Sequence, residues 1–161
     1  MPATNGVIHI IDQVLTPPTV SVVDLAKANA DLSLFVAAIN QAGVQSNLTA
    51  ITDKGITVFA PNNAAFKAAG YADEAAIKKA DPKVLANLLN YHVLNYRAYS
   101  ATFQDGADVV TAQGGSVRFN VSGGKVTITG KGNGTNAANI TQGDLGTTNG
   151  VVHVIDRVLL P

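Results

Sequence analysis

The groups of this chain that could act as bases, nucleophiles or metal ligands are three histidines (His9, His92, His153), a few serines and a scatter of carboxylates, with no cysteine. A zinc site needs ligands brought to one point, and short spacings such as H-x3-H do this on one helix face. None of the histidines shares such a spacing, and His9 and His153 occupy the same position of a repeated motif. The lack of cysteine removes thiolate nucleophiles, disulfides and thiolate ligands without fixing a compartment. Hydrolase chemistry needs a nucleophile held by a base, yet no G-x-S-x-G elbow occurs, and Ser21, Ser33, Ser46, Ser100, Ser116 and Ser122 stand in capping or turn contexts. No carboxylate pair suited to glycoside hydrolysis is visible either. Gly132-Asn133-Gly134-Thr135-Asn136-Ala137 matches G-x-G-x-x-A. A pyrophosphate site requires a helix to open there, whereas the residues around Asn139 to Thr141 read as a strand. The chemistry points away from an enzyme, and no cofactor or metal is expected.

Composition supports a binding or structural role for one domain. The chain has 161 residues, 47% hydrophobic and 14% charged, with 11 basic and 11 acidic side chains and a net charge of zero. That balance gives no field to attract a polyanion, so nucleic acid is a poor partner. The longest apolar runs, such as Val151 to Ile155, fall far short of the roughly 18 residues of a spanning helix, so no membrane insertion is expected.

The elements that must position these groups fall in two blocks. Residues 21 to 43 read as helical, with Asp31 expected to cap a second segment whose stripe is Leu32, Phe35, Val36 and Ile39, ended by Gly43. Ile56 to Ala60 alternate like a strand and stop at Pro61, after which Asn62 or Asn63 can cap a short helix running to about Ala69. Asp73 and Asp81 read as further caps, Pro82 suits a first helical position, and Val84, Leu85, Leu88 and Leu89 form the next stripe. From Asp105 onward, glycines and alternating β-branched residues take over. Gly123–Gly124 is a hairpin turn signal that sets Val121 opposite Val126 and Phe119 opposite Ile128. Helices first and strands later define an α+β chain.

Two features remain. Thr4 to Pro17 recurs as Thr148 to Pro161 with ten of fourteen positions identical, the expected mark of a tandem array in which the first copy is the tail of a preceding domain. On that reading residues 1–18 are the last strand of a neighbour plus a linker, and 19–161 are one complete domain. The first copy should keep strand character and offer itself to a neighbouring chain. His153, in a strand apolar on both faces, reads as a core histidine bonded to a backbone carbonyl. Asp156 reads as half-buried and in need of donors. Tyr91–His92 is an exposed-looking pair with two open readings, a ring packed in the core beside a locally bonded histidine, or a recognition handle. Asn47, Asn120, Asn133 and Asn139 begin N-x-S/T sequons.

Three segments together resemble the fasciclin (FAS1) family. Thr57-Val58-Phe59-Ala60-Pro61-Asn62-Asn63-Ala64-Ala65-Phe66 is similar to the family's first signature, with Asn62 where Thr or Ser is usual; Tyr91–His92 falls at its central pair; and Asn149 to Pro161 is close to its second signature. The resemblance covers about Thr19 to Pro161. It implies a β-wedge of sandwich-like sheets with a cluster of N-terminal helices, in secreted or surface-anchored proteins that often carry tandem copies. Thr57, Phe59, Pro61, Asn63, Phe66, Gly150, His153 and Asp156 would be its structural motif. By the same carry-over, Tyr91, His92, Leu88, Leu89 and Val93 would contact a partner. The implied function is a non-enzymatic extracellular adhesion or interaction module. Its partner would be a surface or matrix protein, or a second copy in homophilic contact. The implied location is extracellular, cell-surface or periplasmic, with the export signal expected outside these residues. The alternative is a carbohydrate or small-ligand binding module that uses Tyr71, Tyr91, Tyr96 and Tyr99 as stacking platforms.

Overall fold

The computed structural model describes residues 1–161. The helical block is built from local signals. Ser21 caps α1 (Val22–Ala28) through a reciprocal pair: its hydroxyl accepts the Asp24 N–H while its own N–H donates to the Asp24 carboxylate. The expectation that Asp31 caps the second segment is corrected. Asn29 accepts the Asp31 N–H at 3.0 Å and starts a single 3-10 turn, Ala30–Leu32, that feeds into α2 (Ser33–Ala42). Gly43, at φ +67°, ends α2 in the left-handed conformation that glycine adopts without a Cβ penalty. A short α3 (Gln45–Thr49) leads to the strand Ile56–Pro61.

Downstream, Asn62 caps α4 (Asn63–Ala68), Asp73 caps α5 (Glu74–Lys79), and Asp81 with Pro82 opens α6 (Pro82–Tyr91). The stripe read for α6 is off by one residue at its start. Leu85, Leu88 and Leu89 are buried, whereas Val84 is 57% exposed because it lies a full step outside the i, i+3, i+4 face that Leu85 begins.

The strands are β1 (Pro2–Ala3), β2 (Gly6–Val7), β3 (Ile56–Pro61), β4 (Val93–Leu94), β5 (Asp108–Val110), β6 (Ser116–Ser122), β7 (Lys125–Gly130), β8 (Ala138–Gly146) and β9 (Gly150–Ile155). Seven of them hydrogen-bond in one order, β4-β3-β9-β8-β7-β6-β5. The chain's last strand, β9, therefore lies inside the sheet, parallel to β3 with Phe59 opposite His153, and antiparallel to β8. Only two residue pairs join β7 to β8, so the sheet opens there into a wedge. The hairpin register is the expected one, Val121 opposite Val126 and Phe119 opposite Ile128, across Gly123 and Gly124, both at positive φ.

Alternation along β3 and β9 sorts two cores. Val58, Ala60, Val152 and Val154 pack with the helices. Phe59 and Ile155 face the interior of the wedge with Tyr91, Leu94, Phe119 and Ile128. Being apolar on both faces is what a central strand covered on both sides requires. The N-terminal copy behaves differently. It keeps only the two-residue pairing of β1 with β2, and every residue from 1 to 20 is exposed. No helix is long and apolar enough to cross a membrane.

Candidate functional site

The parallel pair β3–β9 carries both signature segments, and its polar side chains all turn inward to hold backbone. Thr57 is buried; its hydroxyl donates to the Tyr96 carbonyl at 2.6 Å and accepts the Ala98 N–H at 2.8 Å. His153 is also buried. Its Nε2 lies 2.9 Å from the Ala98 carbonyl, and its Nδ1 accepts the Asp144 N–H at 3.1 Å. The second contact leaves Nδ1 unprotonated, so the proton sits on Nε2 and donates to Ala98. Its ring stacks on Phe59 at 5.5 Å between centroids and lies 5.5 Å from Phe103. Burial pushes the imidazole below its usual pKa, against the Ala98 bond and the Asp144 charge.

Two residues of one strand pair thus fix the loop Asn95–Ser100. Arg97 adds a third tie, donating from its backbone to the Lys54 carbonyl and from its guanidinium to that of Thr148. Ser100 closes the loop by donating its N–H and hydroxyl to the Asp144 carboxylate. Burial works to raise the Asp144 carboxyl, but the Ser100 bonds and His153 outweigh it and hold the pKa below the ordinary carboxylate value. Ser100, Asp144 and His153 are the members of a hydrolase triad in the wrong order. The serine hydroxyl meets the carboxylate directly, while both imidazole nitrogens are engaged by backbone, so the imidazole does not face the serine. What the loop does present is Tyr96 and Tyr99, 40% and 44% exposed. Beside Ser100 a polar groove of about 620 Å³ runs between Lys125, Asn139, Asp144 and Asp156.

Of the two readings of Tyr91–His92, the structure has the ring packed in the core beside a locally bonded histidine, and not the exposed handle. Both residues are 1% exposed, and Leu88, Leu89 and Val93 are buried around them. Strand β6 and the loop at Lys131 fold over the end of α6. The Tyr91 hydroxyl donates to the Ser116 carbonyl at 2.5 Å and accepts the Lys131 N–H. His92 Nδ1 lies 2.8 Å from the Leu88 carbonyl, and Nε2 accepts the Leu159 N–H at 2.9 Å, which sets the opposite tautomer from His153. Desolvation lowers the His92 pKa to about 4. Tyr91 is therefore no stacking platform, and Tyr71 packs edge-on against Phe66.

The remaining motif residues are fasteners. Asn63 accepts the Leu34 N–H and donates to the Ala30 carbonyl, locking α4 to the start of α2. Phe66 is fully buried, and Pro61 ends β3 opposite Ile155. Gly150 has no room for a side chain, since a Cβ would lie 2.2 Å from the Ile56 oxygen. Asp156 is exposed rather than half-buried, yet it has its donors: the backbone and side-chain amides of Asn139 reach its two oxygens at 2.7 and 2.8 Å. In the G-x-G stretch Gly132, like Gly130 just before it, packs against the chain end, whereas Gly134 sits at φ +57° with open space around it. A Cβ on Gly130 or Gly132 would meet Leu160, and Asn133, bonded to Val158 and Leu160, is buried.

Sequence reasoning missed Asn149, whose buried amide accepts the Val22 N–H and donates to the Leu48 carbonyl. It also missed Asp144, a non-glycine residue at φ +59°. Asn149 had a signal in its place inside the repeated segment; Asp144 had none.

A seven-stranded wedge with its closing strand inserted beside β3, backed by helices and pinned by signature residues, defines a fasciclin-type domain. The chain belongs to the fasciclin domain family, whose model matches residues 30–161. Human periostin is 36% identical over 99% of this chain, which spans 18% of periostin. Protein sll1483 of Synechocystis is 34% identical over 94% of the chain and 79% of its own length. Among solved structures, the FAS1 domain pair from the insect cell adhesion molecule fasciclin I superimposes with a TM-score of 0.70 at 22% identity, over 100% of this chain and 57% of the pair. The chain thus spans about a fifth of periostin and most of the cyanobacterial protein.

Proposed function

We propose that the chain is a non-enzymatic adhesion or interaction module on the extracellular side of a membrane or wall, binding a protein partner through the loop that carries Tyr96 and Tyr99. The observation that carries this reading is where the signature residues spend their polar groups. Thr57 and His153 both bond the backbone of that loop. Holding two half-exposed tyrosines in one conformation removes ordering entropy from a contact, and tyrosine is enriched in binding hot spots. Membership of the fasciclin family and the shared fold with a cell adhesion molecule support the adhesive reading. Tyr91 and His92 act in it as braces behind the surface. Residues 1–18 carry the sequence of a second closing strand with its linker, and residues 19–161 are one module.

The test is attachment. Cells plated on the immobilised chain, and beads coated with it, should attach or aggregate above an albumin control. Tyr96→Ala with Tyr99→Ala should lower attachment at least tenfold while leaving the melting temperature within about 2 °C. Attachment equal to albumin in both formats would overturn the reading.

The polar groove beside Ser100 favours a second reading, a glycan seated between Lys125 and Asp144 against Ser100, the chain neighbour of Tyr99. Binding of any glycan on an array, lost in Tyr99→Ala, would move the assignment there.

A further inference from the structure

The N-terminal copy is exposed as a strand is not meant to be. Val7, Ile8, Ile10, Ile11, Val14 and Leu15 are all largely in solvent, while their equivalents Val151, Val152, Val154, Ile155, Val158 and Leu159 are at most 2% exposed. We propose that residues 4–17 are a donor strand that fits the closing slot between β3 and β8 of a second copy of this chain.

The match extends beyond apolar pattern to each contact the slot makes with its native strand. Asn5 repeats Asn149, which joins the N–H of Val22 to the carbonyl of Leu48. His9 repeats His153, with its bonds to Ala98 and Asp144; Asp12 repeats Asp156, which receives both amides of Asn139. Gly6 is the most telling. Where it stands, a Cβ would meet nothing within 4 Å and its φ is not positive, so its own surroundings do not require glycine. Its equivalent Gly150 admits nothing larger, with the Ile56 oxygen 2.2 Å from a Cβ. The segment thus retains a restriction that only the slot imposes.

The differences are mild. Ile8 and Ile10 replace Val152 and Val154 and add a methylene each toward the helical core, so the chain's own strand is preferred in its own slot. Gln13 replaces exposed Arg157, and Thr16 replaces Leu160, itself 41% exposed.

Geometry favours exchange between molecules. Val20 is tied to the entry of the closing strand, its carbonyl accepting the Thr148 N–H at 2.9 Å. A segment inserted in its own molecule would leave from the far end of the slot. From the level of Ile155 its chain would then have to return about 23 Å along the sheet to Val20, pulling the residues after Ile11 out of their matching contacts. A strand from a second molecule has no such return. Each molecule then gives one strand and receives another through different surfaces, an assembly that grows head to tail. This deepens the reading of residues 1–18 as a closing strand and does not depend on what the module adheres to. A chain that exchanges strands but holds no cells would leave it standing.

The test disables the native strand and leaves the donor intact. In the full chain, Gly150→Val bars β9 from its slot. The variant should fold in a concentration-dependent manner into oligomers, seen by sedimentation velocity and circular dichroism. A peptide of residues 4–17 in excess should dissolve them into one-to-one complexes. The same peptide carrying Gly6→Val should bind at least tenfold more weakly, and adding Gly6→Val to the Gly150→Val chain should leave it unfolded. Gly6→Val alone should leave the wild-type fold unchanged. A Gly150→Val chain that is a folded monomer at all concentrations, or unfolded with and without the native peptide, would overturn the proposal.

Discussion

Asn149 shows how one side chain can hold three elements. It lies at the entry to β9, 1% exposed, and joins the start of α1 to the end of α3 through bonds of 3.0 and 2.7 Å. Removing a buried partner strands the groups it satisfied, at about 1–3 kcal/mol each. Asn149→Ala should therefore lower unfolding free energy by about 3 kcal/mol in urea titration, while Asn5→Ala, its exposed counterpart, should change it by less than about 0.5 kcal/mol. At this scale the sequence is legible wherever a residue acts on its own neighbourhood. The caps at Asn62, Asp73 and Asp81 are read correctly because each bonds an N–H two or three residues on. The local sequence leaves Tyr91 open between core and surface because its environment comes from residues 25 and 40 positions away, Ser116 and Lys131. Nothing near Tyr91 in the chain announces that β6 will cover it.

Among the elements, the hairpin of β6 and β7 was legible to the residue and the place of β9 was not. A two-residue turn fixes its own register, so Gly123–Gly124 determines every pair down to Val117 and Gly130. Both glycines sit at positive φ, +57° and +79°, where an L side chain is disfavoured by roughly 1–2 kcal/mol per residue. Replacing the pair by Ala-Ala should lower the unfolding free energy by about 2–4 kcal/mol. Asn-Gly, which suits the same turn, should leave it within about 1 kcal/mol. Thermal melts of the two variants distinguish these outcomes. The parallel pairing of β3 with β9 joins residues more than ninety positions apart, Ile56 with Gly150, and no local pattern encodes a partner at that range. What the chain does reveal is that Val151 to Ile155 is apolar on both faces, which requires a covered central strand without saying which strands flank it.

For the whole molecule, the two buried histidines tie the fold's outer parts to its centre. His92 bonds the last turn of α6 to the chain end at Leu159, and His153 bonds β9 to the Asn95–Ser100 loop and to Asp144. Each is neutral, because one of its nitrogens accepts an N–H that a protonated ring would repel. Desolvation lowers both folded-state pKa values, that of His92 from 6.5 to about 4. As the pH drops, the unfolded chain binds protons before the folded one does. The histidine contribution is thus fully present above pH 6.5 and is lost as the pH falls through about 4. For His92 the loss amounts to about 3 kcal/mol, with His153 acting in the same direction. The carboxylates whose pKa values are lowered, Asp24, Asp108 and Asp144, lose their contribution only below their ordinary value of 3.8, so the two windows separate. The urea midpoint of the intact chain should therefore decline between pH 6.5 and 4.5, before the carboxylates titrate. His92→Gln should be less stable at pH 7.5 but show a shallower decline across that interval. A midpoint that stays level from pH 7.5 to 4.5, or a His92→Gln chain with the wild-type slope, would mean that the imidazoles accept a proton where they sit, and that the wedge is not held shut by neutral histidines.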